Sequence, residues 1–167
     1  GLTGGDVDGA FDVSGGFEWT AGRLIGVVAR LGPGTHRVIG DGGQILQNAA
    51  VVNAGGLGGG GGGVGLLFNG SSQSAVITNE TSGEIELRAD SRVRQVNPSG
   101  YTPLKLGLVN QGQIVSTTAG TNWIESIPLH NEGGIEITEG LLRQTGGGVS
   151  PGEVQIASGA SFQISGG

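Results

Sequence analysis

The sequence predicts an all-β protein, a right-handed parallel β-helix of about six or seven rungs, with an antiparallel β-sandwich as the alternative. Three observations favour the β-helix: a composition rich in glycine and β-branched residues, short strands with alternating apolar side chains, and turn motifs that return about every 20–30 residues. The chain has 167 residues, enough for a single domain over 1–167 with its own core.

The composition excludes several classes of protein. Glycine supplies 38 residues and proline only 5, without the three-residue period of collagen. The formal net charge is −6, and no basic patch of the kind that binds nucleic acid is present. No apolar run reaches the ~18 residues of a membrane helix, and the absence of cysteine excludes disulfides and thiolate metal sites. We therefore expect neither nucleic acid nor membrane insertion among the partners of this segment.

Short strands with alternating side chains are the clearest local signal. In NETSGEIELRAD, residues 79–90, Ile85 and Leu87 alternate with Glu84 and Glu86, so the aliphatic and acidic side chains lie on opposite faces of a strand. The segments 110–116 and 131–140 begin with a similar Asn and Gly, residues that tolerate a left-handed turn. The inward positions are predicted to include Ile85, Leu87, Ile114, Ile135, Ile137, Val154 and Ile156.

The turn glycines set the period of the solenoid. They stand at Gly55, Gly83, Gly112 and Gly133, so two long intervals are followed by a shorter one. Each of the two long intervals contains a segment that interrupts the strand pattern, the glycine run in the first and NPSGYTP in the second. Side loops are therefore predicted near 55–65 and 97–103. The first holds the run AGGLGGGGGGVGLL, residues 54–67, for which an ordered polyglycine packed on the solenoid is the alternative to a loop.

A second, longer repeat links the two ends of the chain. GAFDVSGG at 9–16 is similar to GASFQISGG at 159–167, and Phe11 and Phe162 are expected to lead equivalent strands. This match predicts that the chain is a fragment or one unit of a longer array.

Three acidic residues form a candidate calcium site. In GDVDGAFD, Asp6, Asp8 and Asp12 are separated by glycine and apolar residues, and Ca²⁺ favours several carboxylate and carbonyl oxygens close in sequence. An ordinary acidic turn is the alternative, because the downstream glutamate of a complete calcium loop is missing.

Two aromatic residues are the candidate ligand contacts. Tyr101 lies in the proline-containing segment NPSGYTP, and loops on a rigid scaffold concentrate recognition. Trp123 follows a turn and could stack on a sugar. The segment GVSPG, residues 148–152, matches a nucleophile elbow, but Pro151 lacks the N–H that an oxyanion hole needs, so it is interpreted as a turn. No cofactor and no enzymatic activity are predicted.

Three segments carry a resemblance to known proteins. FEWTAGRLIG at 17–26, NQGQIVS at 110–116 and NEGGIEITEG at 131–140 resemble the repeats of bacterial autotransporter passenger regions and filamentous-haemagglutinin-like adhesins. The resemblance extends in style from about Phe11 to Gly167, although the glycine run and the uneven intervals depart from it.

The resemblance implies an extracellular or cell-surface structural and adhesive module, a rigid rod with contact loops. Its implied partners are neighbouring repeat units of the same parent protein, and a glycan or protein of a host surface. The alternatives are a carbohydrate-binding or carbohydrate-active β-helix and a calcium-stabilised repeat module.

Overall fold

The computed structural model describes residues 1–39, 44–60, 64–67, 74–88, 90–96 and 105–166. Within these residues the chain forms nineteen strands in two sheets and no helix, and every pair of neighbouring strands is parallel. The parallel β-helix is confirmed, and the parallel pairing excludes the antiparallel sandwich.

The chain coils through three ladders of stacked strands. The first and second ladders share the larger sheet, whose twelve strands are β1 Leu2–Asp8, β3 Phe17–Ile25, β5 Thr35–Ile39, β6 Gln44–Gln47, β8 Gly56–Gly60, β9 Val64–Leu67, β11 Glu84–Arg88, β12 Arg92–Val96, β14 Gln113–Glu125, β16 Gly134–Gln144, β18 Glu153–Ile156 and β19 Ser161–Ile164. The third ladder is the smaller sheet of seven strands: β2 Phe11–Val13, β4 Val28–Leu31, β7 Ala49–Asn53, β10 Ser74–Asn79, β13 Lys105–Asn110, β15 Leu129–Asn131 and β17 Gly148–Val149.

Each circuit through the three ladders is one rung. The described residues form seven complete rungs and an eighth that contains only β18 and β19. One inward column of the first ladder runs, pair by pair, through Trp19, Val38, Gly59, Leu87, Ser116, Ile137 and Ile156. Along this column, the numbers of residues from Gly59 to Leu87, from Leu87 to Ser116 and from Ser116 to Ile137 equal, in the same order, the three intervals between the turn glycines.

Strand alternation places most of the predicted core correctly. Five predicted inward residues are no more than 5% exposed: Ile85, Leu87, Ile114, Ile135 and Ile137. Val154 is half-buried and packs against this core. Ile156 pairs with the fully buried Ile137 but is itself 50% exposed, so its predicted burial is wrong. The reason is its place in the eighth rung, where no further strand among the described residues covers it.

The predicted side loop near 55–65 is wrong for the part of it that the structure describes. Gly56–Gly60 form β8, which pairs with β5 and β11, and Val64–Leu67 form β9, which pairs with β6 and β12. Leu57 is only 8% exposed and lies in the core. The described part of the glycine run therefore belongs to the fourth rung, because glycine can follow a ladder whose pairing is made by backbone groups alone.

The extra residues of the two long rungs lie elsewhere. They fall in the connections from the second to the third ladder, 68–73 and 97–104, which are longer than the equivalent connections of other rungs. The predicted loop at 97–103 falls within the second of these segments and lies outside the described residues.

The two end repeats are not structurally equivalent. Phe11 lies in β2 and pairs with Ala29 in the third ladder, whereas Phe162 lies in β19 and pairs with Leu142 in the second. The described residues of the two similar sequences, 9–16 and 159–166, therefore occupy different sides of the coil, and the expectation that both phenylalanines lead equivalent strands is wrong.

A column of four buried asparagines joins the rungs along the axis. Asn53, Asn79, Asn110 and Asn131 end successive strands of the third ladder and are fully buried. Each Nδ2 donates to the Oδ1 of the next asparagine, over 2.8, 2.8 and 2.6 Å, and Asn131 Nδ2 donates to Ser150 Oγ over 3.0 Å. The asparagine column thus connects five consecutive rungs through side-chain hydrogen bonds.

The glycines beside this column allow close approach of the backbones. A Cβ at Gly112 would overlap the carbonyl oxygen of Gly83, and one at Gly133 would overlap that of Gly112. Neither these glycines nor the column asparagines have positive φ. The Asn and Gly of each motif are therefore required for inter-rung bonding and for space, and the expected left-handed turn is wrong.

Asn79→Ala tests the asparagine column. Removal of this amide leaves Asn53 Nδ2 and Asn110 Oδ1 without their side-chain partners in a buried site, so we expect the free energy of unfolding to fall by about 3 kcal/mol. Urea unfolding monitored by circular dichroism measures the change. Thr78→Ala, one residue earlier and on the outward face, is the control, and an equal loss in both variants would contradict the role of the column.

Two alanine substitutions in the glycine segment are expected to have opposite effects. A Cβ at Gly55 would lie 2.5 Å from Gly32 O and 2.7 Å from Gly34 O, so Gly55→Ala should destabilise the fold by about 1–3 kcal/mol. The nearest atom to a Cβ at Gly58 is His36 O at 3.9 Å, so Gly58→Ala should stabilise it by about 0.4–1 kcal/mol through the unfolded state. Thermal melting of both variants checks the sign; equal destabilisation would contradict the strand assignment of Gly56–Gly60.

Candidate functional site

The outer face of the second ladder carries the most distinctive side-chain cluster. Trp123 of β14 pairs in register with Arg92 of β12 and Arg143 of β16. Its neighbours Asn122 and Ile124 are fully buried, so the alternation of the strand turns Trp123 outward. The Cζ atoms of Arg92 and Arg143 lie 5.1 and 4.9 Å from the centroid of its ring. We call these three residues the Arg–Trp–Arg stack.

The charge of this stack is only partly balanced. Arg92 Nη1 lies 3.8 Å from Glu125 Oε2, and Arg94 faces Glu125 in register. Among the described residues, Arg143 has no carboxylate within 4.0 Å, and its buried Nε makes no hydrogen bond. The face is therefore locally basic in a chain of net charge −6, and cation–π contact holds the guanidinium groups in place.

Of the two predicted ligand contacts the structure describes only Trp123, and the contact role of both stays a prediction. Guanidinium groups from both neighbouring rungs contact the indole of Trp123, so the ring surface that a stacked sugar needs is already in contact with arginine. Tyr101 lies outside the described residues, and its contact role stays a prediction.

The acidic residues at the N-terminal end do not form the predicted calcium site. Asp6 accepts hydrogen bonds from Arg23 Nε at 2.8 Å and Arg23 Nη2 at 2.7 Å, and this pairing lowers the pKa of Asp6. Asp8 Oδ1 accepts a hydrogen bond from the backbone N–H of Gly9 at 2.9 Å. Their spacing therefore places both side chains along strand β1, without the turn that a calcium loop requires.

Asp12 lies on another side of the coil. It belongs to β2 of the third ladder, and its carboxylate is 4.0 Å from Arg30 Nε. Within the described residues no three His, Asp or Glu side chains come together as metal ligands. The predicted calcium site of Asp6, Asp8 and Asp12 is therefore wrong.

The chain was compared with protein-family models, curated proteins and solved structures. No match was found in any of the three comparisons. No helix among the described residues is long and apolar enough to cross a membrane.

Ser150 has a structural partner. Its Oγ accepts the hydrogen bond of Asn131 Nδ2, so this serine takes the place of an asparagine at the end of the column. The GVSPG segment begins as strand β17, Gly148–Val149, and only its remaining residues 150–152 form the connection to β18, where its proline predicted a turn.

The Arg–Trp–Arg stack was missed in the sequence because its members are far apart along the chain. Arg92, Trp123 and Arg143 lie on three successive rungs, so about one whole rung of sequence separates each from the next. Aligning the rungs on the asparagine column pairs Arg92 with Trp123, which follow Asn79 and Asn110 at the same distance, but it misses Arg143, because register shifts between β14 and β16 bring this residue one position closer to Asn131.

An ion pair on the first ladder gives the chain a pH-dependent contact. Arg88 Nη2 donates to Glu86 Oε2, and Thr117 Oγ1 donates to Glu86 Oε1 at 3.2 Å. The hydrogen bond with Arg88 is the main cause that lowers the pKa of Glu86 below its ordinary value of 4.5. A depressed pKa in the folded state contributes stability above pH 4.5, and this contribution is lost as the pH falls through the folded-state pKa.

Glu86→Gln tests this contact. We expect a smaller fall in melting temperature between pH 6 and pH 3 than in the wild type, because the variant has no carboxylate to protonate at this position. Calorimetric melting at several pH values measures it, with Glu84→Gln on the same strand as the control. An unchanged pH dependence in Glu86→Gln would show that the ion pair has no part in acid stability.

Proposed function

We propose that the chain is a structural and adhesive module of a secreted or cell-surface bacterial protein, a rigid rod whose connecting loops make contacts. The observation that supports it is the asparagine column, which joins five rungs along the axis. Seven spacings of about 4.8 Å between eight rungs give a rod of roughly 34 Å.

The asparagine column supports a rod because it couples the register of each rung to that of the next. A buried amide needs its partners in place, so displacement of one rung would leave polar groups unpaired in the core. The bacterial surface location is supported by the resemblance of 17–26, 110–116 and 131–140 to adhesin repeats. Neighbouring repeat units of the parent protein and a host-surface glycan or protein are the proposed partners.

Native-state hydrogen exchange tests the rod. We expect the strand amides from β5 to β16 to exchange with similar opening free energies, as one cooperative unit. A block of rungs that opens separately and at much lower free energy would contradict a rigid rod, because it would indicate a lid or hinge. Asn79→Ala should divide the rod into units of different stability.

A carbohydrate-binding module is the second candidate, and the Arg–Trp–Arg stack favours a module that binds acidic glycans. Guanidinium groups on a basic face, one exposed and one partly exposed, suit an acidic glycan better than a neutral one. An array of neutral and acidic glycans distinguishes the candidates: a purely structural face gives no saturable binding that depends on the stack. Saturable binding that is lost in Arg143→Gln and retained in Arg37→Gln, on the first ladder, would establish the second candidate.

A further inference from the structure

The second ladder has a basic outer face on rungs five to seven. We call it the basic face, and its outward side chains are Arg92, Arg94, Trp123, Glu125 and Arg143. At its edge, Asp90 Oδ1 accepts a hydrogen bond from the backbone N–H of Thr121 over 2.9 Å. Glu125 lies 3.8 Å from Arg92, so both carboxylates of this surface already have a partner. The three arginines outnumber these carboxylates, and Arg143 has none within 4.0 Å among the described residues.

The first ladder has an acidic outer face on rungs five to eight. We call it the acidic face, and its charged outward side chains are Glu84, Glu86, Arg88, Glu136 and Glu153. Glu86 accepts a hydrogen bond from Arg88. Within the described chain, Glu84 and Glu136 have no cation within 4.0 Å. The acidic face thus holds carboxylates without a counter-ion, on rungs where the basic face holds a guanidinium without one.

The two faces present matching columns on the same rungs. In each column a charged, an apolar and a second charged side chain follow each other in register on rungs five, six and seven. The members are Glu86, Val115 and Glu136 on the acidic face, and Arg92, Trp123 and Arg143 on the basic face. The charged members of each column are two strand spacings apart, about 9.6 Å along the axis. Because both columns are symmetric about the sixth rung, they match whether two coils lie parallel or antiparallel.

We propose that the basic face of one copy of this chain docks on the acidic face of a second copy, so that the coils associate side by side. The contact places each arginine of the column opposite a glutamate and the two apolar side chains opposite each other. Arg143 and Glu136, which have no ionic partner in the described part of one chain, then pair between chains. The inference goes beyond the proposed rod and requires no host ligand.

Each copy carries one face of each kind, so the contact is heterologous. A copy that has docked through its basic face still offers its acidic face to a third copy. Such contacts build a ring if the rotation between copies closes and an open row if it does not. Association can therefore continue beyond the dimer.

The size and the charge of the faces set the conditions for association. A strand of five residues makes the acidic face only about 13 Å wide, so the contact buries less than the roughly 1,200 Å² of a standard interface. Two chains of net charge −6 also repel each other at long range. A Debye length of about 10 Å at about 0.1 M salt screens this repulsion and preserves close ion pairs, whereas about 3 Å at about 1 M weakens the pairs too. We expect association at high protein concentration in about 0.1 M salt and its loss in about 1 M salt.

Sedimentation velocity over a range of protein and salt concentrations tests the contact. Arg143→Glu and Glu136→Arg should each remain monomeric where the wild type associates, because each places like charges opposite each other. The double variant, with both changes in one chain, has opposite charges again and should associate. An equimolar mixture of the two single variants should form dimers, since each retains one native face. Arg30→Glu makes the same charge change on the third ladder and should associate as the wild type does.

Three results would overturn the inference. These are a wild type that is monomeric at its highest soluble concentration in about 0.1 M salt, a folded double variant that stays monomeric, and a loss of association in Arg30→Glu. Circular dichroism verifies the fold of each variant. If the double variant does not fold, the equimolar mixture decides, and the absence of dimers there rejects the contact. A monomeric wild type with uniform exchange protection would reject side-by-side association while the rod proposal stands.

Discussion

The structure depends on the hydrogen bonds that run between rungs along the axis. Backbone pairing alone would allow a rung to slip by two residues and keep the same face inward. The amides of Asn53, Asn79, Asn110 and Asn131 oppose such a slip, because only one register brings each Nδ2 to the Oδ1 of the next rung. The neighbouring glycines leave the space for this register, and the aliphatic columns then pack on a fixed frame.

Much of the fold could be predicted from local pattern. The alternation in 79–90 and 131–140 reports directly which side chains face the core, and the spacing of Gly55, Gly83, Gly112 and Gly133 indicated the length of the rungs. The interpretation of the motif was less successful. A left-handed turn and a close inter-rung contact both favour Asn and Gly, so residue type alone cannot separate them.

The glycine run shows another limit of local sequence reasoning. Propensity disfavours glycine in strands, yet Gly56–Gly60 are held on both sides by β5 and β11. The ladder positions are set by strands one rung earlier and one rung later, which no window of local sequence contains. The same limit applies to the Arg–Trp–Arg stack and to Asp6, whose partner Arg23 lies on the next rung.

The connections from the second to the third ladder vary in length much more than the strands do. They range from the single residue Asn48 to the segment 97–104, while the ladders on either side keep their pairing. This corner of the coil therefore tolerates insertion. We therefore expect a segment exchanged between these strands to leave the core unchanged, which makes this corner a suitable position for grafting a foreign peptide.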